Sequence, residues 1–270
     1  MIPLSKRKNE AVTPCVPVAA YIGGKKQLAK KLVAMIEAVP HTTYAEPFVG
    51  MGGVFLRRQS KPRVEVINDA SGDVANFFRI LQRHLPALLD ALAWQVTSRT
   101  EFERLTTLPP DSLTDVERAA RFLYLQRLAF GGKVVNRVFG VAPERPARFN
   151  AAALRPRLEA IHARLSGVVI ESLGYADFIE RYDRRGTLFY LDPPYYGSER
   201  YYGAGMFGRA DFTALADQLG QIKGRFILTL NDRPEVREIF KRFPMQSADL
   251  TYTVGKDAAK AVSELIIRSK

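Results

Sequence analysis

The stretch that most limits what this chain can fold into is Leu188-Phe189-Tyr190-Leu191-Asp192-Pro193-Pro194-Tyr195-Tyr196. Its apolar opening reads as a buried strand. Two consecutive prolines stop that strand, because neither can donate to a sheet ladder. One carboxylate, Asp192, therefore stands at the carboxyl end of a strand, the edge at which open α/β sheets place their ligands. The prolines stiffen the turn and leave their carbonyls to accept hydrogen bonds, while Tyr195 adds a flat aromatic face. Such a set can hold a planar ring bearing an amino group: the face stacks, and the carboxylate and a carbonyl accept the two N–H bonds. A proline-rich turn with an incidental Asp is the bland alternative, and the rest of the chain bears on the choice.

Two further stretches point to the same edge. Tyr44-Ala45-Glu46-Pro47-Phe48-Val49-Gly50-Met51-Gly52-Gly53-Val54-Phe55 reads as a strand, a glycine loop and a helix start. Gly50 and Gly52 allow the backbone to approach a ligand closely; a lone G-x-G is weak by itself. A second strand, Val64-Glu65-Val66-Ile67, ends in Asn68-Asp69, and Asp69 follows Gly52 by seventeen residues. That is close to the ~20-residue offset at which an acid grips ribose hydroxyls in nucleoside-binding βαβ units. Asp69 could equally cap the helix that begins near Gly72. Upstream, Tyr21-Ile22-Gly23-Gly24-Lys25-Lys26 opens a helix through Leu28, Leu32, Met35 and Ile36, where a Gly-Gly turn either exposes N–H groups to an anion or is an ordinary entry turn.

The remaining pattern gives the organisation. Residues 1–18 mix charges and prolines and read as a flexible arm. From Val74 to about Leu165 the apolar spacing is helical, broken by a linker at Leu108–Ser112 and a glycine-punctuated hairpin over Ala129–Gly140. After it come a strand at Val168–Ile170, the Asp192 strand, a Gly- and Tyr-rich loop from Tyr196 to Phe207, a helix over Phe212–Ile222, a strand at Arg225–Leu230 and a last one at Glu264–Ile267. Strands alternating with helices imply an α/β fold: a Rossmann-like, mostly parallel sheet with helices on both faces. The expected division is a catalytic domain from 19–72 and 166–270, interrupted by a mainly helical insertion at 73–165.

The net charge of +12 favours a polyanionic partner, nucleic acid before membrane. Between Arg121 and Arg157 eight basic residues (Arg121, Arg127, Lys133, Arg137, Arg145, Arg148, Arg155, Arg157) face one acid, Glu144, so this stretch alone supplies seven of the twelve net charges. The single cysteine, Cys15, rules out an internal disulfide, and His41, His84 and His162 are too scattered for a metal-ligand cluster. No apolar run reaches the ~20 residues a bilayer requires, and the N-terminus lacks the apolar core of a signal peptide. A cytoplasmic location is the expectation.

Together these segments resemble the Dam-like DNA adenine-N6 methyltransferases, in the family's order and over most of the chain from Tyr21 on. Tyr21 to Lys25 matches the Gly-Gly-Lys opening, Glu46 to Gly52 the Glu-Pro-Phe-x-Gly-x-Gly segment, Asp69 the Asn-Asp strand end and Asp192 to Tyr195 the Asp-Pro-Pro-Tyr tetrapeptide. The resemblance implies S-adenosylmethionine as methyl donor, S-adenosylhomocysteine as product, no metal, and double-stranded DNA as substrate, with the insertion as target-recognition domain. It implies that Phe48, Gly50 and Gly52 line the cofactor loop, that Asp69 binds the ribose and that Tyr21 and Lys25 contact the cofactor. Asp177 would reach the cofactor's adenine, and Asp192, beside the cofactor, would hold with the Pro193 carbonyl the target amine of a flipped-out base. Pro194 stiffens that turn and Tyr195 stacks on the base. Arg127, Lys133 and Arg137 are expected at the DNA face, in a monomer whose candidate partner is a cognate restriction endonuclease. The chain departs from the family where Phe130-Gly131-Gly132-Lys133 replaces Asn-rich text, so no recognition sequence carries over. Asp rather than Ser or Asn before Pro-Pro-Tyr points to adenine over cytosine, and the basic insertion points to DNA over RNA or protein. A catalytically silent DNA-binding protein on the same scaffold is the competing class.

Overall fold

A computed structural model of the chain describes residues 9–140, 144, 146–203, 205–252 and 260–270. In chain order its elements are β1 (Glu10–Ala11), α1 (Ala29–Ala38), β2 (Thr43–Glu46), β3 (Ser60–Lys61), β4 (Val64–Asn68), α2 (Gly72–Arg83), α3 (Leu85–Ala93), α4 (Arg99–Thr107), α5 (Asp115–Leu128) and α6 (Ala151–Arg164). The second half adds β5 (Val169–Glu171), α7 (Tyr175–Tyr182), β6 (Thr187–Leu191), α8 (Arg209–Leu219), β7 (Arg225–Asn231), α9 (Pro234–Ile239), β8 (Met245–Tyr252) and β9 (Lys260–Arg268).

A seven-stranded sheet has the order β5-β4-β2-β6-β7-β9-β8. Strands β5, β4, β2, β6 and β7 run parallel, and β9 is antiparallel to both its neighbours. The chain leaves β2 toward β4 and β5, then returns to the other side of β2 to lay down β6 and β7. That reversal opens a crevice above the carboxyl ends of β2 and β6, the binding position in such sheets.

Side chains alternate across the sheet with period two. Tyr44, Ile67, Leu188, Tyr190 and Ile227 enter one apolar layer, and Ala45, Val66, Phe189, Leu191 and Phe226 enter the other. Every residue of β6 is buried, which explains its unbroken apolar run. The first layer continues without a break into the insertion, through Phe77 and Phe78 of α2, Phe122 and Leu125 of α5, and Leu154 and Leu158 of α6. Helix α5 starts on a capping box, Thr114 with Glu117, and buries most of its surface against α2, α3 and α4, while α6 packs on α3 and α2. The insertion is thus a thickening of one sheet face, sharing its core.

Several local expectations are corrected. The glycine loop leads into a 3-10 turn at Phe55–Arg57 in place of an α-helix, and the helix after Gly23-Gly24 begins only at Ala29. Residues 129–140 form a loop closed by a single bridge, Ala129 to Phe139, with a 3-10 turn at Phe130–Gly132, and no hairpin ladder. The N-terminal arm is tied down from residue 10: β1 pairs with β3, Val12 N–H donates to the Gln59 carbonyl, Cys15 N–H to the Leu56 carbonyl, and Val18 is fully buried. Two-residue strands carry no periodicity to read, which is why composition alone suggested freedom there. Residues 1–8 and Arg145 lie outside the described residues.

The insertion is also fastened by charge. Glu65 on β4 accepts from Arg58 at 2.5 Å and from both terminal nitrogens of Arg164 at 2.7 Å, with all three side chains buried. Removing one partner of such a group leaves uncompensated buried charge, at about 3–5 kcal/mol. Glu65→Ala is therefore expected to destabilise the fold by about that amount, read as a lower denaturant midpoint at unchanged slope.

Candidate active site

Three strand ends build the site. After β2, the turn Pro47–Gly53 is held against β4: Val49 N–H donates to the Asn68 carbonyl at 2.9 Å, and Gly52 N–H closes back on Val49. The Asn68 side chain donates to the Pro47 and Leu173 carbonyls and accepts from Leu173 N–H, so one amide fixes two neighbouring loops. Gly50 has φ of +50°, and a Cβ there would stand 3.0 Å from the Tyr21 ring. Both facts require glycine.

Asp69, just past β4, accepts from Gly50 N–H and from Ser71 N–H, each at 2.9 Å. These bonds tie Asp69 to the glycine loop and to the residue before α2. Burial pushes its carboxyl up to about 6, opposed by those two bonds. Two lone-pair positions of an ionised carboxylate remain for a ligand's hydroxyls.

Asp192 follows β6 and retains 19% side-chain exposure. Lys25 Nζ lies 2.5 Å from its Oδ1, and Thr229 on β7 donates to the same oxygen at 3.0 Å. Lys25 is itself 2% exposed, 3.9 Å from Glu264 Oε2, and 4.6 Å above the Tyr195 ring. The Tyr195 hydroxyl donates to Glu264 on β9. Burial raises the Asp192 carboxyl to about 6, with the Lys25 ammonium pulling it down. Glu46, at the end of β2, accepts from the Tyr44 hydroxyl at 2.5 Å; burial lifts it to about 8, so it is mainly protonated at neutral pH. Asn231 brackets the Tyr196 backbone, donating to its carbonyl and accepting from its N–H, and so locks the Pro-Pro-Tyr-Tyr turn.

A cavity of about 490 Å³ joins these groups. Its walls include Tyr21, Lys25, Phe48, Gly50, Asp69, Asp192 and Pro194. Phe48 stacks on Tyr175 at 5.7 Å and meets Phe207 edge-on at 5.8 Å, giving one end an aromatic slot.

A model of the D12 class N6 adenine-specific DNA methyltransferases matches residues 21–254. The chain belongs to this family. It is a DNA adenine-N6 methyltransferase, an activity for which the family implies S-adenosylmethionine. It is similar to the type II methyltransferase M1.LlaDCHI of Lactococcus lactis subsp. cremoris, 26% identical over 93% of this chain and 94% of that one. It is also similar to the type II methyltransferase M.CviBI of Paramecium bursaria Chlorella virus NC1A, 22% identical over 83% and 86%. Among the described residues no helix is long and apolar enough to cross a membrane.

Not every residue singled out from the sequence meets the cavity. Gly52 shapes the turn behind it, with a Cβ position 2.9 Å from Leu56. Pro193 and Tyr195 flank the lining residues Asp192 and Pro194 without lining the cavity themselves. Asp177 is exposed on the first turn of α7, away from the lining. Of the three residues expected at the DNA face, Arg127 is turned inward: its guanidinium donates to the Val18 carbonyl at 2.9 Å and to the Arg148 carbonyl, and it lines the cavity. Arg137 is half-buried near Arg121 and Tyr21, and burial lowers its pKa. Arg121 and Arg157 likewise serve backbone carbonyls. Counting charges along the chain cannot separate arginines that serve carbonyls from those that meet solvent. Sequence reasoning also missed Thr229, Glu264 and Phe207. Only Glu264 left a signal, as an acid opening an otherwise apolar strand.

An alanine at position 50 would carry the strain of positive φ, about 1–2 kcal/mol, and press on Tyr21. Gly50→Ala is expected to weaken S-adenosylhomocysteine binding about tenfold with DNA affinity little changed, as measured by titration calorimetry and electrophoretic shift.

Proposed function

We propose that the enzyme methylates N6 of a specific adenine turned out of double-stranded DNA, with Asp192 accepting from the reacting amine. The observation that carries this reading is that Asp192, Gly50 and Asp69 share one cavity wall although they follow three different strands. Its volume suits a ligand of nucleoside-amino-acid size. Gly50 lets the ligand approach the backbone, Asp69 has acceptor positions for sugar hydroxyls, and Phe48 with Phe207 offers faces to a purine.

S-adenosylmethionine supplies, when bound, a methyl group on a positively charged sulfur. The amine that must attack it is a poor nucleophile, because its lone pair is delocalised into the ring. Acceptance of an N–H bond by Asp192 Oδ1, and of the other by the Pro193 carbonyl, favours the pyramidal form. Positive charge grows on nitrogen during attack, so a fixed carboxylate stabilises the transition state more than the ground state. The surplus proton then leaves nitrogen along the Asp192 hydrogen bond. Lys25 holds Asp192 ionised before the base arrives; as the amine takes its place, Glu264 is the second anion within its reach. Flipping the base costs a few kcal/mol, offset in part by stacking on Tyr195.

Lys133 stands beside two exposed apolar residues, Phe130 (54%) and Val138 (57%), whose backbones are bonded to each other. A cation on a loop that exposes two apolar side chains suits phosphate contact and groove entry, so residues 130–138 are the proposed DNA-facing loop. The inward-turned Arg127 and Arg137 are assigned to its support. The enzyme is read as a cytoplasmic monomer, and no step above calls for a metal. The type II names of both relatives favour a cognate restriction endonuclease as partner.

Asp192→Ala is expected to lower methyl transfer by several orders of magnitude while S-adenosylhomocysteine still binds; near-normal turnover would reject the assignment. Because the ionised carboxylate is the acceptor, kcat/KM for DNA should fall tenfold per pH unit below about 6 and flatten above it. Lys25→Met removes the group that holds the charge, so this acidic limb should move to higher pH, with activity partly restored in alkaline buffer. Lys133→Glu should weaken DNA binding and reduce its salt dependence.

A further inference from the structure

One wall of the cavity, packed against the glycine loop, is the N-terminal segment from Val16 to Lys25. Its fastenings come from the insertion. Gln126 on α5 is 1% exposed, and its amide nitrogen donates to the Ala20 carbonyl at 2.8 Å and to the Gly132 carbonyl at 2.7 Å. The Gly132 carbonyl also accepts from Ile22 N–H at 3.1 Å. Arg127 holds the Val18 carbonyl, and Arg157 on α6 holds the Pro17 carbonyl at 2.6 Å. At Gly132, where φ is +68°, a Cβ would lie 3.0–3.1 Å from the backbone of Ala20 and Tyr21. Backbone therefore packs on backbone there, with no soft side chain between to absorb a displacement.

The two ends of this join have different tasks. One is covalently continuous with Lys133 and the exposed loop 130–138. The other carries Tyr21, whose ring packs on Gly50, and Lys25, which pairs with Asp192. We propose that Gln126 is a positioning residue: by stapling the segment 20–22 to Gly132 it makes the cofactor wall answer to DNA held on the 130–138 loop. This rests on the reading of that loop as the DNA-facing surface. Because the segment completes the cavity and the insertion fixes the segment, ordering the loop pre-pays part of the ordering that cofactor binding requires. The two ligands then tighten each other by a common factor.

The test is equilibrium binding of S-adenosylhomocysteine to the full chain, with and without a saturating short duplex that contains the methylated site. In the unaltered enzyme the duplex should tighten binding at least fivefold. Gln126→Met, of similar size but without a donor, should bring that factor close to one, while each ligand alone binds within about twofold of normal; at saturating DNA the KM for S-adenosylmethionine should rise with kcat little changed. Gly132→Ala, which forces the same junction apart from the other side, should also lose the coupling and serves if Gln126→Met fails to fold. An unaltered enzyme without coupling, or a folded Gln126→Met or Gly132→Ala that keeps it, overturns the assignment. Lys133→Glu separates the two levels. If it leaves DNA affinity untouched, the reading of the loop fails; if it weakens DNA while Gln126→Met retains full coupling, the loop stands and Gln126 falls.

Discussion

A carboxylate kept out of water needs a partner, and the site is arranged around that need. Asp192 is largely buried in the cavity wall and is held by one ammonium, Lys25, and one hydroxyl, Thr229. Removal of a charged group from water costs several kcal/mol, which must be met by close opposite charge and hydrogen bonds. Lys25 can reach Asp192 only because the N-terminal segment crosses the carboxyl edge of the sheet; Thr229 can because β7 lies beside β6. Glu264 enters from the antiparallel β9 and gives Lys25 a second anion within 3.9 Å. The cluster already holds one amine at Asp192, that of Lys25.

The position of this cluster follows from topology. Strands β2, β4 and β6 are parallel neighbours, so their ends bring Glu46, Asp69 and Asp192 to one edge from segments far apart in sequence. Asn68 and Asn231 then fix the loops that leave that edge. Two carboxyls at this edge that burial raises differently, Glu46 to about 8 and Asp192 to about 6, hold different charge at neutral pH. Burial is the main cause at both; the Lys25 ammonium opposes it at Asp192 and the Tyr44 hydroxyl at Glu46.

Much of this was legible in the residues. Strand-end carboxylates, the Gly50 turn and the Asp-Pro-Pro-Tyr stop are local chemistry, because prolines and positive-φ glycines act on the backbone wherever they occur. The parallel order followed from the alternation of strands and helices. What stayed hidden was long-range. The direction of Arg127 is decided by the Val18 carbonyl, 109 residues away in sequence. The fastening of residues 10–15 depends on pairing with 56–61, and a pairing two residues long leaves no pattern. Phe207 and Thr229 are ordinary apolar and strand residues until the fold brings them to the cavity.

The buried group of Glu65, Arg58 and Arg164 has a bearing on how relatives of this enzyme could exchange specificity. Arg164 closes α6, the last helix of the insertion, while its carboxylate partner belongs to the sheet. A graft of residues 73–164 from another family member would have to bring a matching guanidinium to Glu65, carbonyl-holding side chains for Pro17, Val18 and Ala20, and the apolar contacts of α2 and α5. The insertion is thus bound to the rest of the chain by charge, backbone and apolar contact together, and a replacement would have to satisfy all three at once.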